Sequence, residues 1–316
     1  MTSGFVPEWT DQPGTIDDLL CDARALGFPA TKRLVHDWIG LGLLDHPIRR
    51  SKGRTGGSDK SIFPWTQRNL FRLLAQKRHE VKGIAGLCGV PVVLWLWWGD
   101  EYATTSQVQR ALATWAGHVV KVSWQSAQRQ ARQATEFFDD FGASRDQRQR
   151  LTQSLAEIAY AHQLSDEDAL ARAVAEVFDP ARDGRTFGAG GAMGNVESVV
   201  ALIAGRLRGM ERFRQRTSLR ELEQARAIYR NTRMEWAKLR PGLAEQRVRS
   251  KDAVLFKPET IQDLFDHACS ELALIVGLLP PRTTTQPSSH ESAPGAAATA
   301  RGLTTGGIGS HGKKAT

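Results

Sequence analysis

The stretch TKRLVHDWIGLGLLDHP, residues 31–47, decides the fold of the N-terminal part of this chain. Thr31 is a residue type that begins helices well, because its side chain can accept a hydrogen bond from the first helical turn. Apolar residues follow at helical spacing and can form one buried face, namely Leu34, Val35, Trp38, Ile39 and Leu41. The stretch therefore predicts a short amphipathic helix, and its outward positions near the N-terminus are Thr31, Lys32, Arg33, His36 and Asp37.

The preceding segment predicts another short helix. Residues 15–26, TIDDLLCDARAL, offer a threonine cap, two aspartates that suit the positive end of the helix dipole, and apolar residues at helical spacing. Gly27 ends this helix, and the turn Gly-Phe-Pro-Ala leads into the next. A helix-turn-helix sets its second helix in the DNA major groove, braced by the first. We expect residues 31–38 to read bases, with Arg33 donating to guanine O6 and N7.

Residues 46–63 form a polar segment in which Gly53, Gly56 and Gly57 allow a sharp reversal of the backbone. Asp59 is its one acidic residue, and its five cations are Arg49, Arg50, Lys52, Arg54 and Lys60. Cations on such a hairpin can reach phosphates or the minor groove, so the segment predicts a small β wing. Helical periodicity returns after Pro64, which predicts a third helix packed on the first two.

Residues 31–47 resemble the mercury-resistance-regulator (MerR) family of winged-helix transcription factors. Arg33 stands at the family's helix arginine, Trp38 at its usual tyrosine, and Gly-Leu-Leu at residues 42–44 at its glycine-leucine turn. The residues that match the family's wing are Arg49, Arg50, Arg54 and Phe63. The resemblance covers residues 15–78, about a fifth of the chain. It departs from the family at His36, where a second arginine is usual, and in a longer wing. It implies transcriptional regulation through promoter binding.

The fold class predicted for the whole chain is all-α with a small β wing, comprising an N-terminal winged helix-turn-helix and a C-terminal helical domain. We divide the chain into an irregular arm (residues 1–14), the DNA-binding domain (15–80), a helical extension (81–125), a helical domain of unknown role (126–280) and a disordered tail rich in Pro, Thr, Ser, Gly and Ala (281–316). Beyond residue 126 the pattern predicts helices over residues 151–164, 168–178 after a capping box at 165–168, 197–208, 218–239 and 259–279.

The charge of the chain is large and unevenly distributed. The formal net charge is +8 and the pI is near 9.7, which favours a polyanionic partner. Residues 135–183 carry eleven acidic against five basic residues, whereas residues 206–257 carry fifteen basic against six acidic ones. The basic stretch over residues 206–239 can form one amphipathic helix. Three interpretations stay open for it: packing within its own bundle, pairing with a second copy in a homodimer, or contact with more DNA.

The motifs of enzymes and of cofactor sites do not occur in this sequence. It has no HExxH, GxSxG or Walker lysine, and FGAGGAMGN at residues 187–195 lacks the GK[ST] ending of a phosphate loop, so we expect a helix-connecting loop, no catalysis and no cofactor. Cys21, Cys88 and Cys269 are too far apart for a zinc motif and are expected to be free, buried thiols. The weaker metal alternative would need Asp139, Asp140 and His162 to meet in three dimensions.

We expect a cytoplasmic protein that does not enter a membrane. The N-terminus has no basic start followed by an apolar run, and the apolar stretch VPVVLWLWW, residues 90–98, is under half the length of about 20 residues that spans a bilayer. The tryptophans Trp95, Trp97 and Trp98 are therefore assigned to a buried core.

The function that these observations favour is sequence-specific binding of double-stranded DNA in transcriptional regulation. A recombination directionality factor of the excisionase kind, or a plasmid-maintenance factor, is one alternative, because excisionases carry the same small motif. A protein-interaction module acting through the C-terminal helical domain is another. The sequence identifies no small-molecule effector.

Overall fold

The structure, a computed structural model, describes residues 9–51, 58–81, 83–138, 143–178, 195–245 and 259–280. These residues form eleven α-helices and one two-stranded sheet, so the prediction of a mainly helical chain with a small sheet is confirmed. In chain order the elements are α1 (Ile16–Ala25), α2 (Lys32–Gly40), β1 (Ile48–Ser51), β2 (Ser58–Ile62), α3 (Trp65–Glu80), α4 (Ile84–Trp98), α5 (Thr105–Val119), α6 (Trp124–Phe138), α7 (Arg145–Ala161), α8 (Glu167–Val177), α9 (Val196–Arg214), α10 (Leu219–Glu245) and α11 (Ile261–Leu278).

Side-chain caps fix where the first two helices begin. Thr15 and Asp18 form a capping box at the start of α1, in which the Thr15 backbone N–H donates to the Asp18 carboxylate over 2.7 Å. This hydrogen bond is the main reason that the pKa of Asp18 lies below its ordinary value. At α2 the Leu34 N–H donates to the Thr31 hydroxyl over 3.2 Å. Both predicted helix starts are confirmed, and Gly27, with a φ of 67°, makes the turn between them.

The two strands pair antiparallel directly after α2. Ile48 lies opposite Ile62 and Ser51 opposite Ser58, with an irregularity between Ile48 and Arg50. Gly14 extends the pairing, since it exchanges two backbone hydrogen bonds with Phe63, of 3.0 and 2.7 Å. The base of the hairpin is thus fastened to the residue that precedes the cap of α1.

A first apolar cluster joins α1–α5 to the C-terminal helices α9–α11. Helix α11 packs against both α4 and α9 at backbone distance. A Cβ atom added at Gly89 of α4 would collide with the Phe265 carbonyl oxygen, and one added at Gly209 of α9 with that of Ala273. The apolar core therefore runs across the predicted division between residues 125 and 126, while the domain division itself stays a prediction.

A second, smaller apolar cluster is built by α6, α7, α8 and the beginning of α9. Its buried apolar side chains are aliphatic, among them Leu151, Leu155, Leu170, Val174 and Val177. The helices are also joined at the surface, where Arg150 of α7 donates to Glu176 of α8 over 2.7 Å. This region forms a second core at the side of the first.

Several local predictions were wrong. Helix α6 was not predicted, because six of its fifteen positions hold glutamine or arginine and its aliphatic residues are three alanines, which leave little apolar signal. Helix α8 is capped by Asp166, which accepts from Ala169 N–H, and not by a box at residues 165–168. The basic stretch over residues 206–239 is not one helix, since Arg216, with a φ of 63°, lies in the break between α9 and α10.

Two predicted burials also failed. Cys21 is exposed, although Cys88 and Cys269 are buried as expected. Trp98 is 53% exposed, because it is the last residue of α4, whereas Trp95 is buried in the core. Some predictions fall outside the described residues: most of the N-terminal arm, the wing tip at residues 52–57, the glycine-rich loop up to residue 194 and the tail 281–316.

Candidate nucleic-acid interface

Helix α2 has one buried and one exposed face. Val35, Trp38 and Ile39 are buried in the first apolar cluster. The residues on the opposite side are all exposed, namely Lys32, Arg33, His36, Asp37 and Gly40. Each position follows from the helical period, since the buried residues lie three and four apart. The polar face that the sequence predicted for reading DNA is therefore a real, solvent-facing surface.

The predicted base-reading side chains differ in how free they are. Arg33 is the freest, with 91% of its side chain exposed and its nearest carboxylate, that of Asp37, 4.0 Å away. Lys32 is held by an exposed ion pair of 2.9 Å with Asp17 of α1. The Thr31 hydroxyl serves as the cap of α2. The guanidinium of Arg33 thus makes no hydrogen bond within the described residues and can donate to DNA. Lys32 would have to give up its ion pair with Asp17 before it could contact DNA.

A shallow cavity of about 350 Å³ lies between α2, the start of α1 and the sheet. Its walls include His36 on α2, Asp17 on α1 and Ser61 on β2. A short loop joins α2 to β1. The helix and the hairpin therefore lie close together, and both line this cavity. His36 therefore lines the same cavity as Ser61 of the predicted wing.

The predicted wing residues are only partly described. Arg49 is exposed on β1. Arg50 lies on β1 and Lys60 on β2, and for these two the description extends to the backbone only. Lys52 and Arg54 lie outside the described residues. The described part of the hairpin therefore lies beside α2. The contacts of these cations with DNA stay a prediction.

The charge of the described surface is mixed. Lys32, Arg33 and Arg49 contribute three positive charges, and Asp17 and Asp37 place two carboxylates among them. A phosphate backbone is repelled by such carboxylates, so a large electrostatic attraction would have to come from the remaining cations of the hairpin. Asp37 was predicted as an outward residue, whereas the position of Asp17 of α1 on the same surface was not predicted.

The buried side of α2 is fixed by aromatic packing. The Trp38 ring stacks on Phe28 with centroids 5.8 Å apart and meets Phe71 of α3 at 5.6 Å. Such pairs add to the stabilisation that area burial alone provides. Trp38 stands where the resembled family has a tyrosine, and in this chain the indole fills the space between the turn and α3.

The turn after α2 is held by α5. Gly42 has a φ of 77°, and a Cβ atom there would overlap the backbone of Arg110 and Ala111. Helix α5 also donates side-chain hydrogen bonds to two carbonyl groups of this turn: Thr114 to Leu41 and Gln107 to Leu43, both over 3.0 Å. The end of the candidate reading helix is therefore clamped to a helix that the resemblance does not cover.

Asp45 completes the clamp. Its carboxylate accepts from the Thr104 hydroxyl over 2.6 Å and from Arg110 over 3.0 Å. Desolvation would raise the pKa of this carboxyl group, but hydrogen bonds from Thr104, from the His46 N–H and from Arg110 outweigh it, and the pKa lies below its ordinary value. Asp45 is therefore charged at neutral pH and stabilised in that form.

A buried glutamine pair links the same turn to α3. Gln67 accepts from the Asp45 N–H over 2.8 Å and donates to Gln107 over 2.9 Å. Both glutamines are almost fully buried, at 5% and 0% exposure. Sequence reasoning missed this network, and the available signal was the presence of glutamine at core-facing positions of two helices. Buried polar groups need partners, so each of them points to a specific contact.

Other kinds of site find little support in the described part of the chain. No cluster of three or more histidine, cysteine, aspartate or glutamate residues suited to a metal ion occurs there. Asp139 and Asp140, from the metal alternative, lie outside it. Among the described helices none combines the length and the apolar character needed to cross a membrane.

Comparison with known proteins found no relative. No protein-family model, no curated protein and no solved structure matches this chain.

Proposed function

We propose that this protein binds double-stranded DNA, with α2 in the major groove and the β1–β2 hairpin on the phosphate backbone, and that it regulates transcription at the bound site. One observation carries the proposal: Arg33 projects, 91% exposed, from the first turn of a capped helix whose other face is buried. A rigid helix presenting an exposed guanidinium, whose one described ion pair is the 4.0 Å contact with Asp37, is suited to bidentate contact with guanine. The hairpin beside it supplies a surface for phosphates.

The rear of α2 supports the same proposal. Base readout requires that a helix keep its position relative to the surfaces that grip the backbone. Here Trp38, Gly42 and Asp45 fix the helix and its following turn to α3 and α5. An Arg33 side chain on such a support would approach a base edge with little loss of backbone entropy.

The test is selection of bound duplexes from a random pool by the full chain, followed by titration of the selected and a scrambled duplex. Arg33→Ala should cost about 1 to 3 kcal/mol on the selected duplex and relax its sequence preference. Arg220→Ala on α10 removes the same charge from an exposed position and is the matched control. Equal losses on both duplexes for Arg33→Ala would remove its readout role.

Genomic footprinting by crosslinking and immunoprecipitation then distinguishes transcriptional regulation from recombination directionality and plasmid maintenance. Peaks at promoters that vanish in Arg33→Ala support regulation of transcription. Peaks confined to an attachment site or a replication origin assign the same surface to recombination directionality or plasmid maintenance.

A homodimer through the C-terminal helices is part of the proposal, since a dimer suits a palindromic site. Helix α10 uses Leu222, Ala225 and Tyr229 to pack on its own chain, whereas Met234 and Leu239 are 47% and 59% exposed. These two residues offer apolar area to a second copy. Sedimentation equilibrium of the full chain with and without Met234→Glu tests this arrangement, and a monomer in both samples would exclude it.

The mixed charge around α2 favours a second candidate, docking to another protein. Asp17 and Asp37 alternate with Lys32 and Arg33 on the exposed surface, a pattern that matches a mixed-charge partner better than a polyphosphate. If the selection yields no preferred duplex and Arg33→Ala leaves DNA retention unchanged, this function replaces DNA binding.

A further inference from the structure

A cavity of about 250 Å³ opens between α6, α7 and α9, away from the candidate DNA surface. Most of its wall is apolar, and it is lined chiefly by Val119, Ala131, Ala134, Leu155, Ile203 and Met210. The residues from α9 recur at positions 203, 206, 207 and 210, so one face of this helix forms one side of the cavity. A space of this size admits a small ligand that is largely hydrocarbon.

One positive group on this apolar wall has no partner among the residues that the structure describes. Arg206 of α9 has no hydrogen bond or ion pair to any group in the residues that the structure describes. Solvent reaches its side chain, yet enough protein surrounds it that desolvation lowers the pKa of the guanidinium below its ordinary value. Its neighbours on α9 contrast with it, since Arg208 and Arg212 donate to carbonyl groups at the C-terminal end of α11. Among the described residues, Arg206 therefore does not join α9 to α11 as those two arginines do.

A histidine lies in the same cavity in an uncommon conformation. His162 ends α7 with a φ of 52°, a left-handed position that glycine adopts more easily. Because a carbonyl oxygen can only accept, the His162 ring donates from Nε2 to Val120 over 3.0 Å, which holds it in the cavity wall. Desolvation, and then the positive charges of Arg214 and Arg206, lower the pKa of His162 below its ordinary value.

The electrostatic field at the cavity is thus positive and incompletely compensated. Arg214 has a partner of its own, Glu211, at 2.8 Å, whereas Arg206 has none among the described residues. A positive group on an apolar wall binds an anion more strongly than it would in bulk water, because the surrounding protein lowers the effective dielectric constant. A carboxylate matches the planar donor fork of arginine.

We propose that this cavity binds a small apolar carboxylate, with its hydrocarbon part against the aliphatic wall and its carboxylate on Arg206. The proposal does not depend on DNA binding, because none of its residues belongs to the surface of α2 and the hairpin.

Calorimetric titration of the full chain with decanoate and with 1-decanol tests the proposal. The two probes share a hydrocarbon chain and differ in charge, so decanoate should bind about tenfold tighter than 1-decanol if the carboxylate meets Arg206. Arg206→Gln should abolish this preference and Arg206→Lys should restore part of it. Arg220→Gln, with the same loss of charge on the exposed side of α10, should leave it unchanged. Equal affinity for the two probes, or no binding of either, overturns the proposal.

The ring of His162 provides a second readout. A bound carboxylate would offset the charge of Arg206, so decanoate should raise the pKa of His162 towards its ordinary value in an NMR titration. Decanoate that binds without moving this pKa lies elsewhere, and that outcome also overturns the proposal.

Discussion

The two apolar clusters differ in what holds their helices together. In the first, α11 contacts α4 and α9 backbone to backbone, and a network of buried polar side chains fixes α5 to the turn after α2. In the second, the buried apolar side chains are aliphatic, and a single buried hydroxyl, that of Thr135, is described in a hydrogen bond between α6 and α7. The one described ion pair between α7 and α8 is exposed, and a cavity lies along α9. The first cluster thus holds the surface around α2 in place, whereas the second contains space that a ligand could fill.

The largest effect should come from adding one methyl group to the first cluster. In Gly209→Ala the new Cβ would overlap the Ala273 carbonyl oxygen, so α9 and α11 must separate. We expect a loss of about 3 kcal/mol or more in the free energy of unfolding, measured in urea.

Gly117→Ala in α5 is the control for this change, because nothing lies within 4 Å of its added Cβ. Alanine should stabilise that helix by about 0.5 to 1 kcal/mol relative to glycine. Similar free energies of unfolding for the two variants would contradict the close packing of α9 on α11.

These glycines show how far the sequence could predict the fold. Helices α1 and α2 follow from caps and apolar spacing, which are local, and both were predicted. The contact of Gly209 with α11 joins residues that are about 64 positions apart in the chain, and a glycine inside a helix does not say which backbone it meets. The tertiary packing of the C-terminal helices was for that reason out of reach.

In the candidate DNA surface too, local features could be predicted from the sequence, whereas contacts between distant elements could not. The outward face of α2 follows from the helical period, so Arg33, Lys32 and His36 were placed correctly on it. The ion pair of Lys32 with Asp17 depends on the angle between α1 and α2, which a residue pattern does not contain. The clamp by Gln107 and Asp45 depends on α5, far along the chain, and was missed.

Asp45→Asn tests the hydrogen bonds that join the turn after α2 to α5, and it should have the next largest effect on the free energy of unfolding. The variant loses charge-assisted hydrogen bonds from Thr104 and Arg110, which should cost about 1 to 3 kcal/mol of unfolding free energy at pH 7. The folded-state pKa lies below the ordinary value of 3.8, so this stability is present above pH 3.8 and is lost as the pH falls through the folded pKa.

Urea unfolding at several pH values between 7 and 3 measures this dependence. The difference between the natural chain and Asp45→Asn should be full at pH 7 and shrink below pH 3.8. Asp37→Asn, an exposed carboxylate on α2, serves as the control and should change stability by less than about 0.5 kcal/mol. A gap that stays constant with pH would mean that Asp45 acts through packing and not through its charge.

The smallest effect on stability should come from enlarging a side chain in the second cluster. Ala134 of α6 lines the cavity beside α9, so in Ala134→Leu the added carbons enter existing space instead of meeting a backbone. We expect a gain of about 0.5 to 1 kcal/mol in the free energy of unfolding, the usual result of filling a cavity. The same variant should lose the binding of decanoate, because both need the same volume. Destabilisation comparable to that of Gly209→Ala would show that the second cluster is packed as closely as the first, and the contrast between the two clusters would then fail.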